Sequence, residues 1–283
     1  MFNMIFENKN GLQLRFGAGY PFTIKEFTGL NPPSATINTN EAALVDGGKF
    51  NSAKLQMRQV NIAFAIEQDA ENNRLEVYKV VQSKMPLKIY YISDRLDVFL
   101  EGYVESIDFS YFAKKNVCTV SVLCPFPYLK VADEVVSDFE EGLGLFHFPF
   151  SSTATPQIVF GANYETIAAR VENAGNVSCG LTFKLYAKGA VKNPKVIDRK
   201  TGEYFQINIE MQAGDQITVE TQQGYKKVML QVGDTITNIY NYWDDGSTWL
   251  QLDVNGSTFI YTAESGSNNL NVEISHYDLF EGV

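Results

Sequence analysis

Histidine is scarce in this 283-residue sequence, with 2 residues, and only 3 cysteines and 2 tryptophans accompany it. A Ser-His-Asp or Cys-His centre would have to use His147 or His276. Each lies in an aromatic, strand-like context (Phe146-His147-Phe148 and Ser275-His276-Tyr277) without a recognisable nucleophile motif. No Cys/His spacing matches a zinc site. Positive charge is short as well. A formal net charge of −10 argues against duplex nucleic acid, whose phosphates need clustered Lys and Arg, and against an anionic membrane surface. No apolar run approaches the roughly 20 residues of a spanning helix. The opening MFNMIFENKNG lacks a basic region, a long apolar stretch and a small-residue cleavage site, so no signal peptide and synthesis in a cytoplasm are expected.

The remaining polar groups offer little chemistry. Cys118 and Cys124 stand at even spacing on one strand-like run, on the same face and about 20 Å apart, too far for a disulfide. Cys179 is alone, and buried free thiols are expected for all three. Asp133-Glu134, Glu140-Glu141 and Asp244-Asp245 are sequence neighbours, which on a strand face opposite ways, unlike the opposed acids of a glycosidase. Asp244-Asp245-Gly246-Ser247 has two carboxylates and a glycine but not the spacing of a calcium loop, and reads as a solvated turn. The expectation is a protein with no catalytic residue, no metal and no cofactor.

What is present is β-structure. Hydrophobic residues make up 45% of the chain and aromatics 13%, enough for a sizeable core in one large or two smaller domains. Over residues 173–229, runs such as Thr182–Tyr186, Tyr204–Glu210 and Gln216–Thr221 lie between Gly175, Gly180, Gly189, Pro194, Gly202, Gly214 and Gly224. Alternation broken by turn residues about every 8–12 positions predicts antiparallel strands of a sandwich or barrel.

The first half is similar, with one exception. Phe2, Met4 and Phe6, then Asn10-Gly11, then Leu12, Leu14 and Phe16 predict a hairpin. Pro21–Phe27 is extended. Asn31–Gly48, with Pro32, Pro33 and Gly47-Gly48, shows weak periodicity and is expected to be a long mobile loop. Ala53–Ile66 contains a long strand with a bulge or irregularity near Arg58. Asp69–Lys84 is the one predicted helix, with Leu75, Tyr78, Val81 and Met85 at helical spacing, Asp69 as cap and Pro86 as stop. Strands resume at Leu87–Ile92, Val98–Phe109 and Asn116–Cys124. The prolines of Cys124-Pro125-Phe126-Pro127-Tyr128 place a domain boundary near residue 130, giving domains 1–130 and 131–283. Ala132–Gly144 reads as an acidic connection or edge element, and Asn255-Gly256 as a second hairpin turn.

Two groups of residues are candidate contact sites. Tyr240, Tyr242, Trp243 and Trp249 cluster beside an acidic turn; such rings either fill a sandwich core or stack on sugars. Asn38, Asn40, Asp46 and Lys49 sit in the long loop and are candidates for an assembly contact.

The chain resembles the distal tail protein (Dit) family of long-tailed phages and prophages with non-contractile tails. The resemblance is carried in the first half by Val45-Asp46-Gly47-Gly48, Lys54–Ile66, Pro86-Leu87-Lys88-Ile89, Phe99-Leu100-Glu101-Gly102-Tyr103-Val104 and Cys124-Pro125-Phe126-Pro127-Tyr128. In the second half it lies in Asn173-Ala174-Gly175-Asn176, Asn193-Pro194-Lys195-Val196, Thr201-Gly202-Glu203, Gly214-Asp215 and Tyr277–Val283. The chain departs from the family where an arginine often follows the first Asp-Gly, because Gly48 and Lys49 stand there. The resemblance implies an N-terminal β-domain with one helix and a C-terminal galectin-like antiparallel β-sandwich. It further implies a homo-hexameric ring at the virion tail tip, made in the host bacterial cytoplasm. That ring would join the tail tube protein to a tail-associated lysin or hub and to receptor-binding parts, its acidic lumen letting DNA pass without sticking. The alternative reading is a carbohydrate-binding, lectin-like module contacting host cell-wall sugars; the N-terminal part of a tail-associated lysin is a third.

Overall fold

The opening alternation folds as a hairpin. β1 (Asn3–Asn8) pairs antiparallel with β2 (Gln13–Phe16), Met4 opposite Phe16 and Phe6 opposite Leu14. The computed structural model describes residues 3–41, 44, 46–111, 116–139 and 168–283. The readings that touch Phe2, Val45, residues 140–144 and His147 therefore lie outside the described residues.

Two units organise the chain: Met1–Asp133 with Leu279–Val283, and Glu134–Asp278. The last five residues thus group with the first unit, whereas a single cut near residue 130 assigned them to the second. They do so because Leu279 and Phe280 form a strand that pairs with Lys130 and Leu129.

In the first unit the hairpin is followed by β3 (Phe22–Thr28), β4 (Ala35–Glu41), β5 (Gly48–Leu55), β6 (Arg58–Ile66), α1 (Ala70–Val80), β7 (Pro86–Ile92), β8 (Asp97–Phe109), β9 (Asn116–Cys124) and β10 (Leu129–Val131). One antiparallel sheet runs β2-β1-β7-β8-β9-β6-β3, and β10 joins β8 to the terminal strand. Alternate residues of each strand share one face, which is where the core lies. Phe6, Phe16, Phe64, Val60, Ile62, Leu87, Ile89, Leu100, Val120 and Val122 are all buried there. Phe64 packs edge-on to Phe16 and Phe22, with centroids 5.0 and 5.9 Å apart. Cys118 and Cys124 lie on the same face of β9, buried and unpaired, as their spacing required.

Three expectations for this unit are corrected. The helix is shorter, ending at Val80, where Val81 turns extended while its N–H still bonds Val77 O. Its buried face is Val77, Val80 and the following Val81; Leu75 points to solvent, and Tyr78 packs on Phe109. Asp69 takes the cap position in a left-handed conformation without a side-chain cap bond. The long strand is two strands, the irregularity expected near Arg58 being a break at Gln56-Met57. And the described part of residues 31–48 is not one long loop, since strand begins at Ala35. β4 and β5 pair over seven residues as a separate two-stranded sheet, with an irregularity between Asn38 and Thr39.

The described elements of the second unit are strands apart from two short 3-10 turns: β11 (Val135–Asp138), β12 (Ala168–Val171), β13 (Cys179–Gly180), β14 (Thr182–Ala187), β15 (Val191–Asp198), β16 (Tyr204–Gln206), β17 (Glu210–Met211), β18 (Gln216–Glu220), β19 (Lys227–Val232), β20 (Thr235–Asn238), β21 (Gln251–Leu252), β22 (Ser257–Ser265) and β23 (Leu270–His276). One sheet runs β11-β23-β14-β18-β19-β20; another runs β12-β22-β15-β16 with β17 alongside β15. Phe183 of the first sheet meets Phe205 and Phe259 of the second edge-on, at 5.0 and 5.7 Å. This is the core of a sandwich, and the mainly-β expectation with a single long helix holds. Asn255-Gly256 does make a turn, Gly256 N bonding Asp253 O. It is no hairpin, however, since β21 pairs with β13 and β22 with β12 and β15.

Candidate assembly surfaces

The β4–β5 hairpin gathers Asn38, Asn40 and Lys49 on one ladder and Asp46 in its turn. Asn40 stands opposite Lys49, and Asn38 opposite Ser52, whose hydroxyl accepts from Asn38 Nδ2 at 2.9 Å. Neither face of the hairpin is covered. Ile37 is 63% exposed and Phe50 61%, and Leu44 and Met57 are exposed too. A strand normally buries one face; this pair buries none, and a lone two-stranded hairpin is marginal in water. It also presents unpaired edges, which proteins usually blunt or cover.

At the base of this hairpin sits Arg58, which the sequence marked only as the place of a strand irregularity. It opens β6 with its side chain 1% exposed. Nε donates to Pro127 O at 2.7 Å, Nη1 to Gly29 O and Asn31 O at 2.5 and 2.8 Å, and Nη2 to Glu281 O at 2.6 Å. Carbonyl oxygens thus solvate a charge that burial would otherwise disfavour, and burial lowers the guanidinium pKa. Gly29 is held at φ +98, and a Cβ there would stand 2.4 Å from Gln59 O, so only glycine brings this carbonyl to the arginine. Three segments far apart in sequence are tied to one side chain. Two of them, Cys124–Tyr128 and the terminal Glu281-Gly282-Val283, are among the stretches that carry the family resemblance.

The aromatic cluster of the second unit is neither buried core nor open platform. Trp243 and Trp249 stack at 4.4 Å and 17°. Phe205 lies parallel to Trp243 at 5.5 Å, Tyr240 nearly parallel to Trp249 at 6.0 Å, and Lys226 Nζ sits 5.3 Å from the Trp249 centroid. The indole faces are therefore largely occupied by one another and by a cation. Tyr240 is 53% exposed and Tyr242 43%; Tyr242 joins none of these stacks among the described contacts, its carbonyl accepting from Asn208 N. Asp244 caps the adjoining turn. Hydrogen bonds from Asn208 and Gly246 and from the Tyr204 hydroxyl, with Lys195 nearby, hold its carboxyl below the usual range.

His276 is buried, its Nε2 3.2 Å from Asp278 Oδ1, which also accepts the Ala174 N–H at 3.0 Å. That pair pins the end of β23 to the Asn173–Gly175 turn. Among the described residues no group of three His, Cys, Asp or Glu is placed to hold a metal ion.

Comparison with known proteins adds the following. Residues 174–277 match the family model described as siphovirus-type tail component, C-terminal domain. No curated protein matches the sequence. The crystal structure of the Dit protein of phage SPP1, described as a paradigm of hub adsorption apparatus in phages infecting Gram-positive bacteria, superimposes with a TM-score of 0.67. The identity is 16%, and 99% of each chain is covered. A chain of the phage P2 baseplate in its activated conformation with calcium gives 0.54 at 11% identity over 97% of each chain.

Proposed function

We propose, for a chain whose second unit is a siphovirus-type tail component domain and whose fold along its length is that of a distal tail protein, that it forms a hexameric ring hub of a phage tail tip. The ring joins the tail tube to the baseplate and to its lysin and receptor-binding parts. The observation that carries this reading is the β4–β5 hairpin, which leaves Ile37, Leu44 and Phe50 uncovered. Copies arranged head-to-tail around a closed ring would cover those side chains and remove the open edges. A net charge of −10 suits a channel through which DNA passes without adhering.

Light scattering after size-exclusion chromatography tests it. Six chains of 31.7 kDa would give a species of about 190 kDa. A monomer that stays monomeric up to the highest soluble concentration, with or without tube and hub partners, would contradict the reading.

A second reading rests on Tyr240 and Tyr242, the ring faces still open to solvent beside Asp244. They could stack on a neutral sugar. Glycan-array binding that Tyr240→Ala or Trp249→Ala abolishes would favour it. The mutual stacking of Trp243 and Trp249 weighs against it, because a sugar needs a free ring face.

A further inference from the structure

The strongest unassigned feature of the second unit is a cavity of about 460 Å³ lined by Arg170, Arg199, Lys200, Asn255, Ser257 and Thr258, with Gly256. Three cations around one opening stand out in a chain of net charge −10. The local structure builds it. β12 and β22 pair with Arg170 opposite Thr258, and on the other edge of β22 Arg199 N bonds Thr258 O at 2.9 Å, so the two arginines flank Thr258 from neighbouring strands of one sheet. Gly256, at φ +69, forms the wall. A Cβ there would lie 2.6 Å from Val171 O, so the Asn255-Gly256 turn closes tightly onto β12 only as glycine.

The floor is already satisfied. The Asp198 carboxylate accepts from Ser257 Oγ and from Lys200 N, which ties it to the protein and away from the cations above. Lys200 Nζ reaches Asp253 at 3.0 Å and Arg170 reaches Glu172 at 3.3 Å, both as solvent-exposed pairs that an incoming anion can replace at little cost. Arg199 is exposed and has no acidic partner within ion-pair distance among the described residues. The cavity volume falls in the range of small-molecule sites, and its lining holds cations, two hydroxyls and an amide but no aromatic ring.

We infer that this cavity binds a small hydroxylated ligand carrying one oxyanion, such as a polyol phosphate or a uronic acid. The guanidiniums of Arg199 and Arg170 take the oxyanion through forked hydrogen bonds, with Lys200 adding charge. Thr258 and Asn255 meet the ligand's hydroxyls. The site is separate from the Tyr240–Trp249 stack and does not depend on ring assembly.

Isothermal titration of the full chain tests it, with glycerol 3-phosphate and glucuronate as anionic probes and glycerol and glucose as neutral controls. At least one anion should bind, at least about tenfold tighter than its neutral counterpart. The double variant Arg170→Gln and Arg199→Gln should lose that preference, while Lys226→Gln, outside the cavity, keeps it. Both arginines are exposed, so the variant folds. Preference for phosphate or for carboxylate identifies the oxyanion and supports the assignment either way. No binding of either anion, or equal weakening by Lys226→Gln, overturns it.

Discussion

β5 and β6 are consecutive strands separated by two residues, yet they live in opposite surroundings. β6 buries Val60, Ile62 and Phe64 on one face and pairs on both edges, with β3 and β9. β5 pairs on one edge only, with β4, and all its residues but Leu55 are exposed. The difference lies in what each strand completes within its own chain. β6 closes a core; β5 finishes a hairpin that leaves its apolar side chains for something else. Strand geometry alone does not tell the two apart, and the side chains must be followed to their neighbours.

The widest separation between the two should come from matched phenylalanines. Phe64→Ala removes a fully buried ring packed between Phe16 and Phe22 and should cost about 3–5 kcal/mol. Phe50→Ala removes an exposed ring and should change the stability of the isolated chain by no more than about 0.5 kcal/mol, while weakening ring formation. Urea denaturation of both variants at low protein concentration, alongside light scattering at high concentration, makes the comparison. Similar stability losses would break it.

Next in size is Arg58, which stands where β6 begins. Arg58→Met leaves the carbonyls of Gly29, Asn31, Pro127 and Glu281 without that donor and should cost about 3–4 kcal/mol. It should also free Leu279–Val283, visible as faster proteolysis of the C-terminus. A stable variant with a protected C-terminus would show that water replaces the guanidinium.

A smaller effect separates the strands by pH. Arg58 and Phe64 stand opposite Cys124 and Cys118 in the β6–β9 ladder, and burial pushes both thiols up to about 12. In the second unit Cys179 is raised alike. Tyr78, hydrogen-bonded to Tyr111 and partly desolvated, is also raised to about 12. Below about pH 9 both folded and unfolded thiols keep their protons, and stability does not respond. From about 9 to about 12 the unfolded groups ionise while the folded ones do not, so stability should fall as pH rises. β4 and β5 contain no cysteine or tyrosine, so deleting the hairpin should leave that slope unchanged. Folded thiols should likewise resist a thiol reagent at pH 8 until denaturant is added.

The strands that bury one face were legible as sequence. β7, β8 and β9 begin and end within a residue of where alternation placed them, because burial writes the period-two pattern. β4 and the part of β5 before Ala53 were missed for the same reason: with neither face buried, ATINTNE and GKFNSAKL carry no such pattern. Helix α1 was found, but its face was misread, since Leu75 is exposed while the adjoining Val77 and Val80 are buried. The pattern marked an irregularity near Arg58 but gave no sign of the bonds its guanidinium makes. Its partners Gly29 and Glu281 lie 29 and 223 positions away, and a backbone carbonyl has no residue signature. Of the aromatic residues singled out, Tyr240, Trp243 and Trp249 come together and Tyr242 joins none of their stacks, and sequence could not tell that the three rings stack on one another.

Hydrogen exchange followed in the dilute chain and in the assembled ring measures the contrast between β5 and β6 most directly. The amides of 35–41 and 48–55 should exchange quickly in the dilute chain and become strongly protected in the ring, while those of 58–66 are protected equally in both. Slow exchange of the hairpin in the dilute chain, or no gain on assembly, would contradict the account.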